Sequence, residues 1–477
     1  MFSSSLTTYF LSALQWGTAA VVLGALVWVF ACHTRVGIAL LLSPGLIDEL
    51  TRQKTPSFDV GALTFSVSDV ITVCAVTVIT GRLIVGRIRL SRGTVAAAGL
   101  LTLATVSVLR GAGEFGLEHA VNECRPYAFF LAAALYVATA DARVEIARFI
   151  AKAWCILAVT YALVAISRWR ETGFSSANEN IVVDGALVTA RPVFAAAALV
   201  IGQAALLLIA MRLHTLRHRL LAVGLLLAVL LLQHRTVWIA TAIAIAAYLL
   251  LGRAVGTERF AVFGATVCAG VIGLVGFSMF SLGPVKQDIL SSYSTMQGTH
   301  STFAWRVAGW NGLLGQKDTF VDLLVGRPFG TGYARLIDGN LVTVSPHNFY
   351  IQTFLRLGIA GLVLLVGLYL WILLNLRSGS RTDLLGRLIL LTQLTFCFAY
   401  SPSMEQGAVL GIILWQLNRI HGNRSRQVPL SGRNSDGNST QTSHRSPHVH
   451  ASSCGRPTGG GPRQRDLSLG QGLSRQP

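Results

Sequence analysis

Residues 344–362 read VSPHNFYIQTFLRLGIAGL. A Ser-Pro-His-Asn cluster, Ser345 to Asn348, stands directly before an apolar run that continues to about residue 376. Pro346 and Asn348 fit a helix N-terminus, and the run after them exceeds the roughly 20 residues that cross a bilayer as helix. His347 therefore falls where water, lipid and a polar substrate can meet. A histidine with an unperturbed pKa of about 6.5 exchanges protons easily near neutrality. The helix dipole at that end favours the neutral imidazole and attracts anions. Two readings stay open for His347: a base beside a phosphate, or a capping or interfacial residue.

The rest of the chain shares this apolar character. Of 477 residues, 52% are hydrophobic and 13% charged, with a mean hydropathy of +0.58; soluble proteins carry roughly 25% charged residues. The expectation is an integral membrane protein, all-α, a polytopic transmembrane bundle of twelve spans. They fall near 12–32, 65–85, 93–110, 122–140, 147–168, 192–211, 219–233, 236–252, 260–280, 348–376, 384–400 and 405–420. VGIALLLSPGLI (36–47) is short and broken by Pro44, and reads as a re-entrant or interfacial piece. The organisation is N-terminal spans over 1–280, a large extracytoplasmic loop over 281–347, three last spans over 348–420, and a tail over 421–477.

Basic short loops stay cytoplasmic. The set GRIRLSR (86–92), DARVEIAR (141–148), MRLHTLRHR (211–219), GRAVGTER (252–259) and RSGSRTDLLGR (377–387) alternates correctly along the chain. It puts 111–121, 169–191, 233–236, 281–347 and 401–404 on the extracytoplasmic side and the tail inside. That topology accounts for the net charge of +18 without a nucleic-acid partner. The tail, rich in Ser, Gly, Arg, Gln and Pro, has too few apolar residues to bury a core and reads as disordered. The first apolar run lacks a basic leader and continues as a full span, so no cleavable signal peptide is expected. Seven cysteines show neither a pairing nor a metal spacing, and neither a disulfide framework nor a zinc site is expected.

Mid-span positions hold almost no ionisable residues, so no ion or proton path is read through the bilayer. Polar groups gather instead at the outer helix ends: Arg125, Arg191, Arg235, Arg306 and His347. Arg235, in QHRTVWIA, lies in a very short hairpin between two spans. It either snorkels to the interface or grips a phosphate with paired hydrogen bonds. The same choice, headgroup or substrate, holds for Arg306 in FAWRVAGW and for Arg125 and Arg191. Trp238 reads as an interfacial anchor, and His234 as solvated or as a reserve proton acceptor. Within the large loop, Trp305, Ala308, Gly309 and Gly312 recur at helical spacing, which predicts a surface helix over 301–316. GRPFGTGYA (326–334) reads as a turn.

In this order, Arg306, Trp310 and Leu314 as R-x-x-x-W-x-x-x-L, then GRPFGTGYA, then SPHNFYIQTFLRLGIAGL resemble the signature of the O-antigen ligase and O-antigen polymerase family of bacterial membrane glycan transferases. Arg235 matches the short arginine-bearing outer hairpin that the family carries two spans before its large loop. The resemblance covers roughly residues 190–375 in motif and the membrane region in helix number. It implies transfer of a glycan from a polyprenyl-pyrophosphate carrier to an acceptor hydroxyl outside the cytoplasm, without nucleotide sugar, metal or other cofactor. By motif, Arg235 and Arg306 would hold the pyrophosphate and stabilise the leaving group. His347 would take the acceptor proton or orient the acceptor. With them, Arg125, Arg191, Trp310, Asn348 and Tyr350 form the candidate substrate-binding set. The expected partners are a lipid-linked glycan donor, a glycan or glycolipid acceptor and the lipids of a bacterial plasma (inner) membrane. One departure stands out: where the family commonly has Glu, this chain has Arg356.

Ligase and polymerase share the donor and differ only in the acceptor, so the sequence leaves both open. A glycolipid flippase would show paired repeats and broken or charged mid-span helices. A non-catalytic scaffold would tolerate loss of His347 and Arg235.

Overall fold

The computed structural model describes residues 2–51, 57–60, 63–86, 91–140, 144–172, 179–183, 186–211, 215–251, 302–316, 319–337, 339–376 and 380–426. Within them the chain is mostly helical. The helices are α1 (Phe2–Cys32), α2 (Thr34–Thr51), α3 (Val67–Ile84), α4 (Arg92–Phe115), α5 (Leu117–Ala138), α6 (Val144–Thr172), α7 (Ala195–Ala210), α8 (Leu216–Leu231) and α9 (Arg235–Leu251). Further along come α10 (Thr302–Leu314), α11 (Phe320–Val325), α12 (Phe349–Asn375), α13 (Arg381–Cys397) and α14 (Met404–Arg426). The expected span at 260–280, residues 281–301 of the expected large loop and the tail beyond 426 lie outside the described residues. Residues 421–426, expected as tail, continue α14 as helix.

Among the described residues α3, α4, α6 and α12 are long and apolar enough to cross a membrane, and five spans result if the bent α1–α2 pair counts as one. Twelve are not reached on that measure. The reason is length: α7 and α8 have 16 residues each, α9 and α13 have 17. At about 1.5 Å per residue these reach roughly 25 Å, short of a hydrocarbon core of about 30 Å. α5 is long enough, but Glu118, Glu123 and Arg125 crowd its first half. Between α1 and α2 the chain bends by 117°, so 36–47 turns away from the first helix instead of extending it.

The all-α expectation is corrected by three short antiparallel hairpins: β1 (Ser57–Val60) with β2 (Leu63–Ser66), β3 (Glu179–Val183) with β4 (Ala186–Ala190), and β5 (Arg335–Ile337) with β6 (Asn340–Val342). The last two close around Asp-Gly dipeptides in sequence, Asp184-Gly185 and Asp338-Gly339. Asp-Gly is a favoured two-residue hairpin turn because it tolerates positive φ, and Gly339 has φ +79°.

Small residues let the central helices approach closely. α5 packs along α14 and α4. A Cβ on Gly407 would come 2.1 Å from the Phe130 carbonyl oxygen, and one on Gly411 would come 2.5 Å from that of Ala134. These two glycines, four residues apart, form one face of α14 against the buried Ala132, Ala133 and Ala134 of α5. α12 is interrupted at Gly358 (φ +62°, ψ −163°), so Phe349–Leu357 is a segment separate from the rest of the helix.

Candidate functional site

His347 stands just before α12, in a turn with φ +49°. That left-handed conformation is sparsely populated for residues other than glycine, so the neighbours must fix it. Asn348 is the N-cap: its Oδ1 accepts from the backbone N–H of Tyr350 at 3.0 Å and of Ile351 at 3.1 Å. Trp310 of α10 donates its indole N–H to the Pro346 carbonyl at 2.7 Å. Ser345 Oγ accepts from Gln352, whose own Oε1 accepts from Ser401 at 2.8 Å. The imidazole itself has no hydrogen-bond partner among the described residues.

Two guanidinium groups act on that imidazole. Burial comes first, then Arg306, then Arg335, and together they hold the His347 pKa below its ordinary value of 6.5. The ring is therefore neutral at pH 7 and able to accept a proton. Arg306 lies over the Tyr400 ring, 5.8 Å from its centroid. Arg335, on β5, is 4% exposed; it donates to the carbonyls of Tyr333 (2.9 Å) and Val344 (2.7 Å) and faces Trp305. Neither arginine is paired with a carboxylate among the described residues. Arg335 was missed by the sequence reading, which looked for charge at helix ends, whereas this arginine sits within an apolar strand. The glycine face of α10 packs here: a Cβ on Gly309 would stand 2.7 Å from Arg335 Nε and 3.0 Å from Ile337 Cδ1.

A second group of cations lies between α8 and α9. Arg191 donates to the Gln233 carbonyl and to His234 Nδ1, each at 3.1 Å. His234 Nε2 lies 2.9 Å from the Val193 carbonyl, which can only accept, so Nε2 carries the proton and Nδ1 is the acceptor. Burial, and then Arg191, push the His234 pKa down to about 4. Both ring nitrogens are thus occupied, and His234 serves to position Arg191; it is neither solvated nor a reserve acceptor. Arg235, the first residue of α9, feels Arg191 as a like charge, after desolvation, and its pKa is lowered. No carboxylate pairs with Arg191 or Arg235 among the described residues.

Other candidates are committed to holding the fold. Arg125 pairs with Asp69 at 2.9 Å and also donates to Asn122 and to the Thr64 carbonyl; it ties the β1–β2 hairpin and α3 to α5. Tyr350 donates its hydroxyl to the Leu394 carbonyl at 2.9 Å. Arg356 is 1% exposed and forms an ion pair with Glu123 at 2.6 Å. Glu123 also accepts from the Gly330 N–H at 2.6 Å, while Arg356 donates to the Gly332 carbonyl and lies over the Tyr333 ring. The pair therefore ties α5 and α12 to the GRPFGTGYA turn.

The two cationic groups belong to one end of the bundle, and a chain of contacts shows it. Ser401, tied to Gln352, lies four residues before Glu405 in the turn that leads into α14, and Glu405 accepts from the Gly45 N–H at 3.1 Å. Further along α2, Glu49 pairs with Arg168 at 3.0 Å and accepts from the Phe194 N–H at 2.6 Å. Phe194 lies three residues from Arg191, which reaches His234. The ends of α2, α6, α7, α9, α12 and α14 that carry these residues thus meet.

Fold and site together define a mostly helical protein, several of whose helices can cross a membrane, with a neutral histidine and arginines that have no carboxylate partner among the described residues at one end. No protein-family profile matches the chain, and no curated protein matches it.

Proposed function

We propose that the chain is a bacterial plasma-membrane glycan transferase of the O-antigen ligase type. In this reading it spans the membrane twelve times, with 281–347 as its large extracytoplasmic loop and its tail in the cytoplasm. It passes a glycan from a polyprenyl pyrophosphate to an acceptor hydroxyl on the outer face. The observation that carries it is the neutral, unbonded His347 imidazole beside Arg306 and Arg335, which lack carboxylate partners among the described residues. A base kept unprotonated by burial and by cations that can also receive an anion suits this reaction.

His347 accepts the proton of the acceptor hydroxyl as its oxygen bonds to the anomeric carbon of the donor sugar. The bond from that carbon to the pyrophosphate oxygen breaks, and the polyprenyl pyrophosphate leaves with the bonding electron pair. Arg306 and Arg235, with Arg191 held by His234, bind the pyrophosphate and offset the charge that grows on its departing oxygen. The driving energy lies in the activated phosphate ester, so positioning and charge stabilisation are the protein's main contributions.

The test is a mass profile of polyprenyl-pyrophosphate glycans from native cells and from cells carrying only His347→Ala. Long chains stranded on the carrier support a ligase. Accumulated single repeats with loss of long chains move the assignment to a polymerase of lipid-linked repeats. A profile unchanged from native removes His347 from the chemistry and sinks the transferase reading.

A further inference from the structure

We propose that α11 is seated among the acyl chains of one bilayer leaflet, an apolar elbow that docks the segment between α10 and α12 onto the membrane. Its sequence is Phe320-Val321-Asp322-Leu323-Leu324-Val325, started by a capping box in which Thr319 and Asp322 satisfy each other's backbone N–H groups. None of its residues is buried. Phe320 is 79% exposed, and Val321, Leu323 and Leu324 are exposed with it. In an aqueous loop this would be an uncovered apolar patch on a helix of six residues.

What adjoins the patch identifies its cover. The Leu324 carbonyl lies against the break in α12, where a Cβ on Gly358 would approach it to 2.3 Å. Directly below the break α12 exposes Ile359, Val363, Val366 and Leu370. This is one stripe at helical spacing on a helix long and apolar enough to cross a membrane. On the other side Arg110, near the end of the membrane-crossing α4, donates to the Gly326 carbonyl at 3.0 Å and pairs with Asp322 at 3.6 Å. α4 exposes Val106 and Leu109 just before that arginine. The apolar face of α11 thus continues the lipid-facing surfaces of two crossing helices, with the Arg110–Asp322 pair as its polar border. Bilayer acyl chains are the one occupant already required on both sides. The assignment stands apart from the glycan-transfer reading and does not depend on it.

The test uses the full chain with its seven cysteines replaced, a single Val321→Cys carrying a nitroxide, and reconstitution in phosphatidylcholine–phosphatidylglycerol vesicles. Collisions with oxygen, which partitions into lipid, are compared with collisions with a water-soluble nickel chelate. Reference labels sit at Val363 on the α12 stripe and at Arg381, exposed at the first position of α13. The expected result is oxygen-dominated relaxation at 321, within about twofold of the ratio at 363. Nickel-dominated relaxation matching that at 381 overturns the proposal. Phe320→Cys repeats the measurement if the 321 label prevents folding.

Discussion

Trp310 donates its indole N–H to the carbonyl of Pro346, the residue before His347, at 2.7 Å. One hydrogen bond therefore joins the helix that carries Arg306 to the turn that carries the histidine. Arg306 and His347 are 41 residues apart in sequence, and this contact fixes them in one frame.

Trp310→Phe keeps most of the ring area and removes the donor. A net hydrogen bond is worth about 1 kcal/mol, so glycan transfer is expected to fall by about fivefold to tenfold. The loss should appear chiefly in kcat, since the change loosens His347 and Arg306 relative to each other while both side chains remain. A variant with native kcat in a reconstituted transfer assay would show that the bond does not position His347.

The lowered pKa of His347 fixes the direction of the pH response. If the imidazole takes the acceptor proton, activity is lost as pH falls through a pKa below 6.5. Arg335→Gln removes one of the two cations, so the acid limb should shift upward, toward 6.5. The linkage has the same sense. The unfolded histidine binds a proton more readily than the folded one, so this contribution to stability is present above pH 6.5 and declines as pH drops through the folded pKa. A rate–pH profile whose acid limb lies above 6.5, or does not move in the variant, contradicts the assignment.

His234 is expected to act through Arg191. His234→Ala leaves the guanidinium without its nitrogen acceptor and should raise KM for the lipid-linked donor by about tenfold, the scale of a charge-assisted hydrogen bond. His234→Gln, whose amide can both donate to the Val193 carbonyl and accept from Arg191, should recover part of that loss. Equal defects in both variants would mean that packing, not the hydrogen bond, is what His234 supplies.

Hydropathy made the apolar helices legible in the sequence, because a long run such as that of α12 has one stable solution in lipid. The helix at 302–314 and the cap at Asn348 were legible for the same local reason. The hairpins were not read, although Asp184-Gly185 and Asp338-Gly339 between β-branched or apolar runs carried the signal. Long-range pairing was beyond reach. Arg356 stands 233 residues from Glu123, and nothing local says that a charge in an apolar helix is there to hold a turn. Arg335 failed for the opposite reason: its role depends on where a short strand meets Gly309 and Val344, and spacing does not encode that.

Gly358 links the fold to the site, because the break there aims the segment Phe349–Leu357 that follows His347. Its φ of +62° is costly for any residue with a Cβ, and that atom would stand 2.3 Å from the Leu324 carbonyl oxygen and 2.6 Å from the Gly326 nitrogen. These are backbone atoms and cannot swing aside. Gly326, at φ +81°, faces the same junction, where a Cβ would meet the Arg356 carbonyl carbon at 2.2 Å. Gly358→Ala should therefore destabilise the protein by about 2–4 kcal/mol, combining backbone strain with overpacking. Activity should fall with stability, because the displaced junction carries both the GRPFGTGYA turn and the histidine segment. Gly367→Ala, on the same helix with nothing within 4 Å of the added atom, should be neutral or slightly stabilising. Thermal unfolding of the two variants in the same detergent decides it: equal midpoints would show that the Gly358 junction yields without cost.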